Sequence, residues 1–154
     1  MTAVDPSLES AAAELTRDAL GLIGRDGLTP ATLAGIGTAL AALARKVPQY
    51  RDEGPELEIR READGTFELV LRVLRADRSA RETLGYDTWS VFAPAHGRIE
   101  IGGASAPPAP LAAGESRGFS QGEIVSLRAL DGPAQLLCLF GIAREHLPPP
   151  RLGT

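Results

Sequence analysis

The sequence predicts a mainly β protein, an antiparallel barrel preceded by an N-terminal helical hairpin. Three observations lead to that expectation. The hydrophobic period shifts from 3.6 residues to 2 near Glu56. Turn signals then recur at Asp64-Gly65, Ala95-His96-Gly97 and Asp131-Gly132-Pro133. No helical pattern separates the strands around them, which favours antiparallel pairing over a parallel sheet.

The helices come first, over residues 5–47. Asp5 can accept from the first free N–H groups as N-cap, and Pro6 at the first helical position has no N–H to leave unsatisfied. Leu8, Ala12, Leu15, Ala19 and Leu22 then share one face, and Gly24 with the turn at Gly27 is expected to end the helix. Thr29 and Pro30 repeat the start signal. Leu33, Ile36, Leu40, Leu43 and Val47 form the second stripe, and Pro48 closes it. A hairpin this short needs something to bury its apolar face against.

Residues 56–142 read as the barrel. "ELEIRR" and "TFELVLRVLR" flank "EADG", "WSVFA" and "RIEI" flank the His96 turn, and "EIVSLRAL" and "AQLLCLFGI" flank the Gly132 turn. That makes about six short strands. "ASAPPAPLAAGES" is expected to be a Pro/Ala loop without regular structure, and residues 143–154, with three consecutive prolines, an extended tail. With no internal repeat, residues 1–154 read as a single domain.

Composition narrows the function classes. Apolar residues make up 44% and charged residues 23%, with a net charge of -4, and no basic stripe is interleaved with aromatics. Nucleic acid is therefore not an expected partner. The single cysteine, Cys138, excludes an internal disulfide and fits a reducing compartment. No basic region followed by an apolar run opens the chain, and no run of 18 apolar residues occurs. A cytoplasmic protein without a membrane partner is expected, and the Ala/Arg/Gly/Pro-rich composition suggests a bacterial source.

The order of elements from Glu56 to Ile142 resembles the cysteine dioxygenase-like branch of the cupin superfamily. The resemblance lies in the Asp-Gly hairpin, the strand "FELVLRVL", the Trp89 strand with its Gly97 turn, and "GEIVSLRALDGPAQLLCLFG" after a variable loop. It implies a cupin-type antiparallel β-barrel, or double-stranded β-helix. In that family iron sits on a His-x-His pair and a third histidine, assisted by a His-x-Tyr. Counted back from Trp89, the pair falls on Leu84 and Tyr86. The third ligand falls on Val125, or on Ile124 or Ser126 with a shift of register, and the His-x-Tyr on Cys138 and Phe140. Every position departs from the pattern. Leucine and valine have no lone pair to give a metal, so neither metal nor cofactor is expected and the oxygen chemistry is not inherited.

Other donors do not rebuild a site. His96 falls in a turn, where a solvated side chain is the plain reading, and His146 lies in the tail. Cys138 on an apolar strand behaves as a small hydrophobe. No Glu-x-x-His, nucleophile elbow or phosphate-binding glycine loop occurs.

A barrel without its metal still encloses a space in which small molecules bind. The resemblance places Glu68, Val70, Arg72 and Leu74 inward. An inward Arg72 needs an anion, either a ligand carboxylate or phosphate or an internal acid such as Glu68. Arg60 is a second candidate, because the family holds a substrate carboxylate with an arginine in that region. Arg60 and Arg61 are not separated at this level. Tyr86, Ser90, Cys138 and Phe140 would share the cavity, with Tyr86 a general acid or merely a ring filling the metal's place. Trp89 and Asp87 have the opposite parity, Trp89 facing the helices or a partner subunit. The expectation is a degenerate, metal-free cupin binding a small anionic organic molecule, and three readings of it stay open. It is a non-redox isomerase, lyase or cyclase, or a non-catalytic small-molecule-binding or regulatory protein such as a homodimer; the third reading, in place of a metal-free barrel, is an iron thiol dioxygenase with atypical ligands.

Overall fold

A computed structural model describes residues 5–49, 56–62, 67–74, 82–85, 88–103, 106–121, 123–130 and 132–141, with the backbone alone for 82–85 and 106. Two helices, α1 (Pro6–Asp26) and α2 (Pro30–Ala44), precede the strands. Asp5 accepts from the Ser7 hydroxyl and from its backbone N–H, each at 2.8 Å. These bonds hold the Asp5 carboxyl below the usual carboxylate range, the hydroxyl contributing most. Gly24 does not end α1, since an interior glycine only weakens a helix. The stop is Gly27 at φ 74, whose N–H donates to the Ile23 carbonyl. No helix among the described residues is long and apolar enough to cross a membrane.

Nine strands follow among the described residues: β1 (Glu56–Arg61), β2 (Glu68–Leu74), β3 (Glu82–Gly85), β4 (Ser90–His96), β5 (Ile99–Gly103), β6 (Ala106–Leu111), β7 (Arg117–Phe119), β8 (Ile124–Ala129) and β9 (Ala134–Phe140). They form a five-stranded sheet in the order β1-β2-β9-β4-β7 and a four-stranded sheet in the order β3-β8-β5-β6. Every pairing is antiparallel.

Two cores result from the pleat. Leu69, Leu71, Val91, Ala93, Leu137 and Leu139 pack with the apolar stripes of α1 and α2. Val70, Phe92, Ile99, Ile101, Val125, Leu127, Leu136, Cys138 and Phe140 fill the space between the sheets. The predicted helical stripes are the ones buried: Leu8, Ala12, Leu15 and Ala19 on α1, and Leu33, Ile36, Leu40 and Leu43 on α2. Trp89 joins the helix-side core, its ring 6.0 Å from Phe67 in an edge contact.

The structure corrects the sequence-based reading at three places. The count of about six strands missed β3 and β7, too short to show a period. The expected Pro/Ala loop contains β6, which among the described residues pairs only with β5. Proline lacks a donor but is tolerated on such an edge, where one row of N–H groups has no partner strand. His96 is not a solvated turn residue. A break in the β4–β9 register between Pro94 and His96 turns it toward the helices. There its Nε2 donates to the Val47 carbonyl at 2.8 Å. The Asp64-Gly65 turn, Asp131 and the tail from residue 142 lie outside the described residues.

Gly141 is buried just beyond β9, and its N–H donates to the Trp89 carbonyl at 3.3 Å. A Cβ at this position would overlap the Trp89 indole. Gly141→Ala should therefore lower stability by about 1–3 kcal/mol, as overpacking does, measured by urea unfolding. An unchanged midpoint would show that the indole is not held there.

Candidate functional site

Strand parity decides which side chains enter the barrel. Val70 and Leu74 of β2 belong to the inter-sheet core, so Glu68 and Arg72 share their face. The cross-strand register then assembles one row across the five-stranded sheet: Arg61, Glu68, Phe140, Ser90 and Phe119. The next row is Glu58, Val70, Cys138, Phe92 and Arg117. Phe92 sits at the centre, its ring 5.7 Å from Phe119 and 6.1 Å from Phe140, both near-perpendicular.

Within this apolar setting Glu68 is only 2% exposed. A buried carboxylate requires a charged or hydrogen-bonding partner. Arg61 supplies one, donating from Nη2 to Glu68 Oε2 at 3.1 Å. The same nitrogen lies 2.7 Å from Glu58 Oε1, and the Glu58 side chain is half exposed. Arg61 thus links one buried and one solvated carboxylate. Ser90, also buried, lies in the same row.

The structure separates Arg60 from Arg61. Simple alternation from Glu56 and Glu58 would send Arg60 inward. A register shift between Glu58 and Arg60, however, inserts an extra residue and reverses the parity. Arg61 becomes the barrel-facing arginine. Arg60 instead faces α1, where Nε donates to Glu62 Oε1 at 2.8 Å and Nη2 to Oε2 at 3.3 Å. Thr16 of α1 donates to the same Glu62 Oε1 at 2.7 Å. The hydrogen bond it donates to Glu62 holds the Arg60 guanidinium above its usual range. Arg60 is therefore not among the residues brought together in the barrel.

Arg72 does face the barrel side, with Glu56 among its partners at 3.5 Å. The internal partner named from sequence, Glu68, belongs to Arg61. Ser90, Cys138 and Phe140 lie on the barrel face as expected, and the Cys138 thiol donates to the Leu136 carbonyl at 3.6 Å. Tyr86, Asp87 and His146 lie outside the described residues. Sequence reasoning missed Glu58, Phe92 and Phe119. Phe92 has the same strand parity as Ser90 and could have been found by it.

The positions that hold iron in the resembled family can be tested for fit. Leu84 pairs directly with Val125 across β3 and β8, and Val125 is in the inter-sheet core. Both have hydrocarbon side chains, and Phe140 has no hydroxyl. Among the described residues no group of three His, Cys, Asp or Glu side chains converges as a metal would need. These residues do not fit the family's iron.

Replacing Arg61 with methionine would leave Glu68 buried with one partner fewer. Loss of about 1–3 kcal/mol is expected from Arg61→Met in chemical denaturation. Adding Glu68→Leu should recover part of it, because the uncompensated carboxylate disappears. Strictly additive losses would show that the two side chains do not act as a pair.

No family model and no curated protein matches the chain. Solved structures do. A cupin 2 domain-containing protein from Halorhodospira halophila aligns at TM-score 0.53 and 16% identity, over 70% of this chain and 80% of that one. A cupin 2 conserved barrel domain protein from Rhodopseudomonas palustris gives 0.53 and 15%, over 70% and 74%. The Fe(II) form of HppE in complex with substrate gives 0.51 and 16%, over 86% and 95%. At such identities the likeness is one of architecture. With two helices ahead of two antiparallel sheets that enclose a common core, the chain has the cupin fold.

Proposed function

We propose that the protein is a degenerate cupin that binds a small organic anion, a carboxylate or phosphate ester, at the barrel-facing side of β1 and β2 without using iron. The observation that carries this reading is the setting of Arg61. Buried Glu68 fixes the guanidinium from within, while the outer contact is to Glu58, whose side chain is 51% exposed. Such an exposed partner is worth little to stability and returns to water at small cost, so an incoming oxyanion can take its place. Arg72 and Glu56 form a further, partly buried ion pair along the same two strands, with side-chain exposures of 21% and 29%. A guanidinium presents paired N–H groups that match a carboxylate or phosphate.

Phe92, Phe119 and Phe140 are buried and packed together beside Glu68 and Ser90, an apolar interior that borders the arginine and its carboxylates. One structure of this fold, HppE, is known with Fe(II) and a substrate. Here the hydrocarbon side chains at Leu84 and Val125 argue for ligand binding without that metal. Tyr86 is the acid/base candidate for a non-redox reaction such as isomerisation, elimination or cyclisation.

Calorimetric titration with a panel of small carboxylates and phosphate esters tests this. Binding by the wild type should weaken at least about tenfold, roughly 1.4 kcal/mol, in Arg61→Lys, which keeps the charge but loses the paired donors, and also in Arg72→Ala. If turnover of a bound compound disappears in Tyr86→Phe while affinity persists, the protein is an enzyme; if affinity alone is found, it is a binding protein. Affinities unchanged by both arginine substitutions would overturn the site.

A further inference from the structure

We propose that the pocket between α1 and the end of the β1–β2 hairpin binds a compact monocarboxylate with an apolar body, held by Arg60 and Arg17. The pocket lies on the helix side of the larger sheet, the face opposite the barrel. Its volume is about 220 Å³, below the range usual for drug-sized ligands, so the occupant is small.

Helical spacing builds one wall. Ala13, Thr16, Arg17 and Leu20 of α1 line it, at i, i+3, i+4 and i+7 on one face. Arg60, Glu62 and Phe67 form the other, brought together where the Glu62 N–H donates to the Phe67 carbonyl at 3.0 Å. Leu20 is 53% exposed, one of two large apolar side chains so exposed among the described residues. A single exposed leucine needs no explanation by itself. Here it stands with Ala13 and Phe67 and gives the pocket a hydrocarbon surface alongside its charges.

The charged part is prepared for an anion. Both Glu62 oxygens are occupied: Oε1 accepts from Thr16 and from Arg60 Nε, and Oε2 from Arg60 Nη2. These bonds fix the Arg60 guanidinium, whose side chain is 30% exposed, and use two of its five N–H donors. The other three have no acceptor among the described residues. Arg17, exposed on α1, has no carboxylate partner among the described residues. With Glu62 offsetting Arg60, the lining keeps one net positive charge, which suits a monoanion better than a dianionic phosphate ester. A carboxylate would take the unused Arg60 donors with Arg17 beside it, and its apolar body would lie against Leu20 and Ala13. Because Glu62 holds Arg60 beforehand, little side-chain freedom is lost on binding. The site shares no residue with the Arg61–Glu68 pair and stands independently of the barrel reading.

Titrations with benzoate, its neutral analogue benzamide and phenyl phosphate, followed by amide chemical shifts, test it on the wild type, Arg17→Gln, Arg60→Gln and Arg61→Lys. With benzoate, shifts at residues 13–20, 60–62 and 67 are expected in the wild type. Affinity at these residues should fall at least about tenfold in Arg17→Gln and in Arg60→Gln, and by a similar factor when benzamide replaces benzoate. It should stay unchanged in Arg61→Lys. No shift there with benzoate at about 10 mM, equal affinity for benzamide, or wild-type affinity in Arg17→Gln overturns the site. A response lost in Arg61→Lys also overturns it, by assigning the binding to the barrel, and tighter binding of phenyl phosphate overturns the choice of a monocarboxylate. Should Arg60→Gln fail to fold because Glu62 loses its partner, Arg17→Gln on the exposed face of α1 decides.

Discussion

The structure depends on one constraint: strand β9 must be buried on both faces at once. All seven residues from Ala134 to Phe140 are buried, and the strand lies between β2 and β4 in the middle of the larger sheet. Leu137 and Leu139 face the helices while Leu136, Cys138 and Phe140 face the barrel. A strand covered on both sides reads as a continuous apolar run rather than an alternation, as "AQLLCLF" does. The helical hairpin is therefore not an appendage. Without it Leu69, Leu71, Val91, Ala93, Leu137 and Leu139 would face water, at roughly 1.5–3 kcal/mol for each fully exposed large side chain.

That division of labour gives the barrel interior its freedom. With the outer face of the larger sheet supplying much of the apolar burial, the inner face accommodates Glu68 and Ser90 among aromatic rings. Glu68 in turn fixes Arg61, whose Nη2 also contacts the exposed Glu58 carboxylate. The polar row is thus anchored from the buried side and reaches a half-exposed carboxylate on the other.

Much of this was legible in the sequence, for identifiable reasons. The helices follow from their caps, since Asp5-Pro6 and Thr29-Pro30 leave little doubt where each begins. The two faces of "FELVLRVLR" follow from period-2 alternation, which placed Glu68, Val70, Arg72 and Leu74 together; of the two surroundings expected for Trp89, the helices or a partner subunit, it packs in the helix-side core. What failed were the places where alternation itself breaks. The bulge between Glu58 and Arg60 exchanged the roles of Arg60 and Arg61, and the one before His96 turned a supposed turn residue onto Val47. Bulges insert one residue and leave no compositional trace in a single sequence. β6 stayed hidden because its prolines signal a loop unless the strand is known to be an edge.

The claim that this barrel works without iron is tested most directly by the metal content of protein purified from iron-supplemented cells, measured by elemental analysis. Iron far below one equivalent is expected, with no change in Tyr86→Phe or Cys138→Ser, because Leu84, Val125 and Phe140 offer a metal no donor. Near-stoichiometric iron, lost when either of those two side chains is replaced, would contradict it.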